Sequence, residues 1–204
     1  MTISETQLET WSHQGGVDAA QNTHTAIRNA LNDYSWKSGV SYDDYLQGSY
    51  RNTTNIYGNS DVDLAVELTS TFYHNDLTES QKSALGFSSA TYSINNFRED
   101  IISILRNRFG SAYVDTSGGK SIKVLPNNRR LKGDVVVSAK YRHYEGTRLV
   151  AEGITFWNTK TGEQIVNSPK IHLENGVTKH ANTSQWYKPT VRIFKNARER
   201  ICKN

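Results

Sequence analysis

The sequence predicts an α+β domain with a mixed or antiparallel sheet flanked by helices. Several short runs have the period of two that is typical of half-buried strands, and longer segments have apolar residues at helical spacing. The strand-like runs are residues 61–68, 121–125, 134–141 and 148–157, and the helical segments are residues 4–33, 94–109 and 189–201. Helices before, between and after strands in this order favour a sheet covered by helices.

The helical segments are predicted from their apolar stripes. Residues 4–33 are expected to form a long N-terminal helix, which Gly15-Gly16 breaks or kinks. Residues 94–109 place their isoleucine and phenylalanine side chains on one face. Pro189 suits the first turn of a final helix, and Asn175-Gly176 predicts a turn before it.

Composition limits the class of protein. The chain has 204 residues, 36% of them hydrophobic and 22% charged, which is enough for one globular domain with its own core. No apolar run is long enough to span a bilayer, and the N-terminus lacks the features of a signal peptide. With a single cysteine, Cys202, these features lead us to expect a cytoplasmic protein without a membrane partner. The net charge of +4 gives no strong signal for nucleic-acid binding.

Two aspartates in one strand are the most informative feature. Asp61 and Asp63 are two residues apart in the strand 61–68, so both carboxylates project from the same face. Such a pair repels itself unless a cation lies between the two groups. Mg²⁺ prefers oxygen ligands of this kind and leaves positions open for substrate phosphates. Asp134 begins another predicted strand and could complete a site for two metal ions.

Gly48-Ser49 provides a candidate phosphate-binding element before this strand. Glycine lets the backbone approach a phosphate closely, and the serine hydroxyl together with backbone N–H groups can bind its oxygens. Taken alone, an Asp-x-Asp pair is also found on solvated faces and at Ca²⁺ sites, and Gly-Ser is common in turns. The combination with this spacing and a later aspartate is much rarer and favours catalysis.

The segments LQGSY and SDVDLAVEL together resemble the signature of the polymerase-β-like nucleotidyltransferase superfamily. Gln47 departs from the apolar residue usual before the glycine. The segments THTAIRNAL, YGNSDVDL, KSIKV, PKIHLENGVTKHAN and YKPTVRIFKNARERI extend the resemblance over the whole chain. They are similar to the CD-NTases, which are bacterial relatives of cyclic GMP-AMP synthase that make cyclic oligonucleotides in anti-phage (CBASS) signalling.

The resemblance implies roles for individual residues. Gly48 and Ser49 match the phosphate-binding motif, and Asp61, Asp63 and Asp134 match the three metal-binding, catalytic acids.

Two further residues complete the implied nucleotide site. Lys195 matches a lysine that contacts the donor triphosphate, although it could also be one charge on a basic helical face. Asn182, in the HANTS stretch, lies where relatives line a base pocket.

The resemblance also implies the reaction and its participants. We expect an Mg²⁺-dependent enzyme, with Mn²⁺ as a substitute, that makes a cyclic di- or trinucleotide second messenger from ATP, GTP, UTP or CTP. A downstream effector would respond to the product. The whole chain is expected to be one catalytic domain, in which the helix at about residues 189–202 starts a helical lobe truncated at Asn204.

Two alternatives remain open at this stage. The nucleotide could be transferred to a protein, an RNA or a small molecule, or the fold could bind nucleotides without catalysis. The three acids argue against a non-catalytic role, because a site without turnover has no use for such a cluster.

Overall fold

A computed structural model of the chain describes residues 3–58 and 61–202, which form helices on both sides of one sheet. The helices are α1 (Glu5–Ser12), α2 (Asp18–Asn32), α3 (Gly48–Arg51), α4 (Glu79–Ala84), α5 (Ile94–Phe109), α6 (Pro169–Asn182) and α7 (Tyr187–Cys202). The strands are β1 (Tyr42–Leu46), β2 (Val62–His74), β3 (Val114–Asp115), β4 (Ile122–Val124), β5 (Gly133–Glu145), β6 (Arg148–Trp157) and β7 (Gln164–Asn167).

The sheet is mixed, as predicted. Its seven strands include the path β1-β2-β5-β4-β3, while β6 pairs with β5 and β7 pairs with β6. Strands β2 and β5 are parallel, and the other pairs are antiparallel. Strand β5 pairs with β2 on one side, and on the other with β4 near its start and with β6 farther along. The α+β prediction is therefore confirmed.

The main hydrophobic core lies between helices α2 and α5 and the sheet. Its fully buried side chains include Ile27, Leu31, Leu64, Phe97, Ile101, Leu105, Ile122 and Val135. Helix α5 begins with a capping box, in which Ser93 and Asn96 satisfy each other's backbone N–H groups. This core holds the start of β2 beside the start of β5, where the predicted acids lie.

The predicted N-terminal helix over residues 4–33 is wrong as one element, because the structure has two helices there. The separation occurs at the predicted glycine break. The Gly15 N–H donates to the Asn55 carbonyl (3.2 Å), and Asn55 Nδ2 donates back to the Gly15 carbonyl (3.1 Å). A Cβ at Gly15 would lie 2.5 Å from the Ile56 carbonyl carbon. The chain leaves the helix at this point so that its backbone can pack against residues 55–56.

The predicted turn at Asn175-Gly176 is also wrong. Both residues lie inside α6, which begins with Pro169 at its first turn. Gly176 approaches Asn52 closely, since a Cβ there would lie 3.3 Å from Asn52 Oδ1. Packing of α6 near α3 overrides the local preference of Asn-Gly for a turn. Helix α7 spans the predicted final helix, beginning two residues before Pro189.

Among the described residues, no helix combines the length and the apolar character required to cross a bilayer.

Candidate active site

The parallel pairing of β2 with β5 brings the predicted acids together. In the register of the two strands, Asp63 lies opposite Asp134 and Val62 lies opposite Gly133. Asp61 directly precedes β2 and Lys132 directly precedes β5, and the Val62 N–H donates to the Lys132 carbonyl (2.9 Å). Three carboxylates and one ammonium group therefore share one end of this strand pair.

Lys132 bridges two of the three acids. Its Nζ lies 2.5 Å from Asp61 Oδ2 and 3.6 Å from Asp134 Oδ2. The hydrogen bond to Asp61 raises the pKa of Lys132, with further support from Asp134. Sequence analysis missed this residue, although Lys132 and Asp134 repeat the two-residue spacing of Asp61 and Asp63.

The Asp63 carboxyl has a raised pKa. Burial raises the pKa of Asp63 to about 6, helped by the neighbouring charges of Asp134 and Asp61 and opposed by Lys132 and Lys195. The Oδ1 atom of Asp134 is buried and has no hydrogen-bond partner in the part of the chain that the structure describes. An unpartnered carboxylate oxygen beside other acids is the arrangement expected of a cation-binding site before the cation binds.

Gly48 packs directly against Asp63. The Gln47 N–H donates to the Asp63 carbonyl (2.9 Å), which fixes the chain beside β2. Gly48 has a φ of +61°, and a Cβ there would lie 2.1 Å from Asp63 Oδ2. Only glycine fits this position, for both conformational and steric reasons. Ser49 follows in α3, half-buried, and its carbonyl accepts from the Thr54 N–H (2.9 Å).

Helix α7 holds the loop that follows α3. Arg192 donates to the Ser12 carbonyl (2.5 Å) and to the Thr53 carbonyl. Lys195 Nζ donates to the Thr54 carbonyl (2.9 Å). Burial lowers the pKa of Lys195, whereas the charge of Asp63 opposes that change. The predicted triphosphate lysine is thus brought near the acids by contacts between α7 and the loop.

A cavity of about 450 Å³ opens beside Gly48 and Asp63. This volume lies in the range of small-molecule sites. Two of the lining residues, Gly48 and Asp63, were predicted from the sequence, and the others, in or next to β1, α3, β7 and α6, were not. The missed polar and aromatic residues include Tyr45, Arg51, Asn52, Asn167, Lys170 and His172.

The wall of the cavity nearest β1 is anchored by a buried acid. The Tyr45 hydroxyl donates to Glu67 Oε2 (3.0 Å), and Glu67 is almost completely buried in β2. Lys170 Nζ lies 5.9 Å from the centre of the Tyr45 ring. No spacing in the sequence connects Lys170 with Tyr45, since only the tertiary fold brings α6 to β1.

The structure does not bring Asn182 to this cavity. It is the exposed last residue of α6, whereas the cavity is lined by the first turn of that helix, from Pro169 to Leu173. The HANTS stretch therefore lies at the far end of α6 from the residues that face Gly48 and Asp63.

The carboxylate oxygens of the site are suitable ligands for divalent cations, although they are not arranged as a preformed metal site. In residues 3–58 and 61–202, no three His, Cys, Asp or Glu side chains already converge as a metal site. Asp61 is engaged by Lys132, while no cationic side chain of the described residues lies within hydrogen-bond distance of Asp63 or of Asp134 Oδ1. The oxygen-only donor set matches the preference of Mg²⁺. Asp61, Asp63 and Asp134 are the residues that would hold such ions.

We predict that Gly48→Ala destabilises the protein by about 2–3 kcal/mol, because the new Cβ requires an unfavourable φ and displaces Asp63. Gly146→Ala is the matched control, since Gly146 has a φ of +63° and a Cβ there would have nothing within 4 Å. It should cost only about 1 kcal/mol. Urea denaturation of both variants measures the difference. Equal losses would show that the approach to Asp63 carries no steric cost.

We also predict that Asp63→Asn stabilises the cation-free protein at neutral pH. The Asp63 carboxyl ionises near 3.8 in the unfolded chain and near 6 in the folded one. The folded state therefore binds the extra proton between these values, and stability falls as the pH rises through this window. With allowance for solvent screening, the Asn variant should gain about 1–2 kcal/mol at pH 7.5.

Denaturation in EDTA at pH 7.5 and at pH 4 measures this effect. The gain should shrink towards zero at pH 4, where the wild-type carboxyl is protonated in the folded state. The control Asp33→Asn removes an exposed carboxylate at the end of α2 and should change neither value. A gain that persists at pH 4 would show that ionisation of the buried Asp63 carboxyl is not its cause.

A family model and a curated relative both match the sequence of this chain. A family model described as the cGAS/DncV-like nucleotidyltransferase C-terminal helical domain matches residues 174–204. The cyclic UMP-AMP synthase of Rhodothermus marinus is 45% identical over 202 residues, covering 97% of this chain and 68% of that protein.

Solved structures of CdnE synthases also match this chain. The Rhodothermus marinus CdnE c-UMP-AMP synthase with Apcpp and Upnpp matches with a TM-score of 0.89 at 44% identity, covering 99% of this chain and 69% of that one. The Elizabethkingia meningoseptica CdnE cyclic dinucleotide synthase with GTP and Apcpp matches with a TM-score of 0.77 at 30% identity, covering 99% and 68%. The resemblance found in the sequence is confirmed: the chain belongs to the CD-NTase family of cGAS/DncV-like nucleotidyltransferases.

Proposed function

We propose that this protein is an Mg²⁺-dependent nucleotidyltransferase that joins nucleoside triphosphates into a cyclic di- or trinucleotide. The observation that carries the proposal is the pairing of Asp63 with Asp134, with Asp61 and Gly48 beside them, next to a cavity of about 450 Å³. The similarity to cyclic dinucleotide synthases supports the choice of nucleotides as both donor and acceptor.

In the proposed reaction, a ribose hydroxyl of one nucleotide attacks the α-phosphate of another. A new phosphodiester bond forms, the bond to the β-phosphate breaks, and pyrophosphate leaves. A second attack of the same kind closes the ring of a dinucleotide. Asp61, Asp63 and Asp134 would hold the divalent cations, which would supply charge neutralisation at the attacking and leaving oxygens.

The chain itself positions the reactants and handles the proton. Because Gly48 has no side chain, phosphates can approach the backbone at the start of α3, beside Asp63. Ser49 offers its hydroxyl to these phosphates. Asp134 Oδ1, which has no hydrogen-bond partner among the described residues, would accept the hydrogen of the attacking hydroxyl. Lys195, held at the Thr54 carbonyl, offers its charge to the donor triphosphate. Positioning and electrostatics account for most of the rate in such transfers.

The helices at the end of the chain begin the second wall of the cleft in this proposal. The family model for the C-terminal helical domain matches from residue 174 onward, within α6. Apolar side chains on α6, on α7 and between them are exposed, namely Val177, Trp186, Phe194 and Ile201. Exposed apolar side chains on both helices are expected where a helical lobe packs. Residues 1–204 would then comprise the catalytic domain and the start of this lobe.

The product would act as a second messenger in anti-phage defence, where a downstream effector responds to it.

The choice of bases can be found directly from the products. All four ribonucleoside triphosphates are incubated with the protein and Mg²⁺ or Mn²⁺, treated with phosphatase, and resolved by mass spectrometry. A phosphatase-resistant cyclic species supports the proposal, and transfer only to an added protein, RNA or small molecule would replace it.

We predict that the double variant Asp61→Ala, Asp63→Ala loses synthesis by at least about 10³-fold, since the cation ligands are removed. The variant should still fold, because the substitution relieves repulsion among the acids. The same product assay, together with thermal melting, measures both effects. Asp33→Ala serves as the control for removal of a carboxylate. Undiminished turnover in the double variant would end the proposal.

We predict that Lys195→Gln raises the KM for the donor triphosphate by about tenfold, because a charge-assisted contact is lost. Lys188→Gln is the matched control, since it removes one charge from the same helix at its N-terminal end. Initial rates at varied triphosphate concentration measure the change. A KM equal to that of wild type would place Lys195 among the structural contacts of α7 alone.

A further inference from the structure

Lys132 lies among the acids of the candidate active site. It makes ion pairs with Asp61 (2.5 Å) and Asp134 (3.6 Å), so its ammonium group lies between two of the three carboxylates. The Lys132 side chain is 29% exposed, between 48% for Asp61 and 21% for Asp134. All three side chains are therefore partly exposed at the end of the strand pair.

The backbone fixes Lys132 in this place. Its carbonyl accepts from the Val62 N–H (2.9 Å), directly before the first paired residues of β2 and β5. Lys132 therefore occupies on the β5 side the position that Asp61 occupies on the β2 side. The same parallel pairing that assembles the acids also delivers an ammonium group to them.

Other cations near the acids are engaged elsewhere. Lys195 donates to the Thr54 carbonyl, although its charge still affects Asp63. Lys123 lies opposite Asp134 in the β4–β5 register but pairs with Asp115 (3.9 Å). Within the described part of the chain, Lys132 is the lysine that forms ion pairs with two of the three acids, Asp61 and Asp134.

We propose that Lys132 is the resident counter-ion of the cation-free site, and that its ammonium group leaves Asp61 and Asp134 when a divalent cation binds. The inference rests on the proposed function in one respect, namely that these acids hold the cation. It assigns a role to Lys132 as a competitor for the carboxylate oxygens and not as a catalytic residue.

Competition follows from the geometry. The oxygen that accepts from Lys132 on Asp61 is one that a hard dication would require, and two cations at one carboxylate oxygen repel each other. Asp134 has its second oxygen free, but its Oδ2 is within reach of the ammonium group. The lysine stem is long and flexible, so the ammonium group can move away without a change in the backbone.

This arrangement makes binding of the cation depend on the nucleotide. A divalent cation alone must displace Lys132 from its carboxylates. A cation that arrives with a triphosphate brings additional oxygen ligands and negative charge, which also offer the freed ammonium group a new partner. The site would therefore hold cations weakly until a substrate is present.

Binding of a cation to the full chain without nucleotide tests the inference. We expect Lys132→Gln to bind Mn²⁺ alone about tenfold more tightly than wild type, as measured by electron paramagnetic resonance of the free ion. Lys82→Gln is the matched control. Lys82 pairs with Glu79 at 2.8 Å on α4 and is 34% exposed, so the substitution removes a similar ion pair away from the site. It should leave the affinity unchanged, and unchanged or weaker binding by Lys132→Gln would overturn the inference.

A second measurement uses the wild-type protein and does not require a folded variant. Lysine acetylation followed by mass spectrometry reports how freely each ammonium group is released. Addition of Mg²⁺ alone should accelerate labelling of Lys132 several-fold and leave Lys82 unaffected. The inference would be overturned if the rate of Lys132 labelling did not change at a Mg²⁺ concentration that saturates the site.

The two proposals fail in different ways. If the wild-type protein binds neither ion at the acids, even with a triphosphate analogue, then the cation site of the proposed function fails and this inference fails with it. If wild type binds Mn²⁺ and Lys132→Gln binds it with the same affinity, only the role of Lys132 is wrong.

Discussion

Repulsion among three carboxylates at one end of the sheet is the constraint on which the site depends. The parallel register of β2 and β5 forces Asp63 beside Asp134, and Asp61 lies two residues before Asp63. A core of isoleucine, leucine, valine and phenylalanine holds these strands in place, so the acids cannot separate. The raised pKa of Asp63 records the cost of that placement, which comes first from burial and then from the charges of Asp134 and Asp61. Such a cost is common where stability is exchanged for function.

The groups around the acids reduce this cost in different ways. Lys132 provides positive charge directly to Asp61, and Lys195 acts on Asp63 from α7. Gly48 contributes because it has no side chain, which would otherwise occupy the space of the Asp63 carboxylate. Two lysines and a glycine that cannot be replaced thus offset part of the cost of placing the acids together.

The parts of this site that the sequence predicted are those with short-range signals. The spacing of Asp61 and Asp63 is local, and Gly48 lies close before them in the chain, so both could be identified from pattern alone. Asp134 required a second strand pattern together with the family resemblance. Lys170 and Tyr45 gave no signal, because a helix and a strand more than a hundred residues apart meet only in the folded protein. For the same reason local preference failed in α6, where packing overrides an Asn-Gly pair.

Helix α7 connects the loop after α3, beside Gly48, with the helical end of the chain. Arg192 and Lys195 bind the carbonyls of Thr53 and Thr54, in the loop that directly follows α3. Thr53 has a φ of +54°, which a threonine adopts only where surrounding contacts hold it. A shift of α7 would therefore move both the lysine and the loop beside Gly48. Because α7 also carries the exposed apolar face of the helical region, whatever packs on that face is mechanically connected to the part of the site nearest the acids.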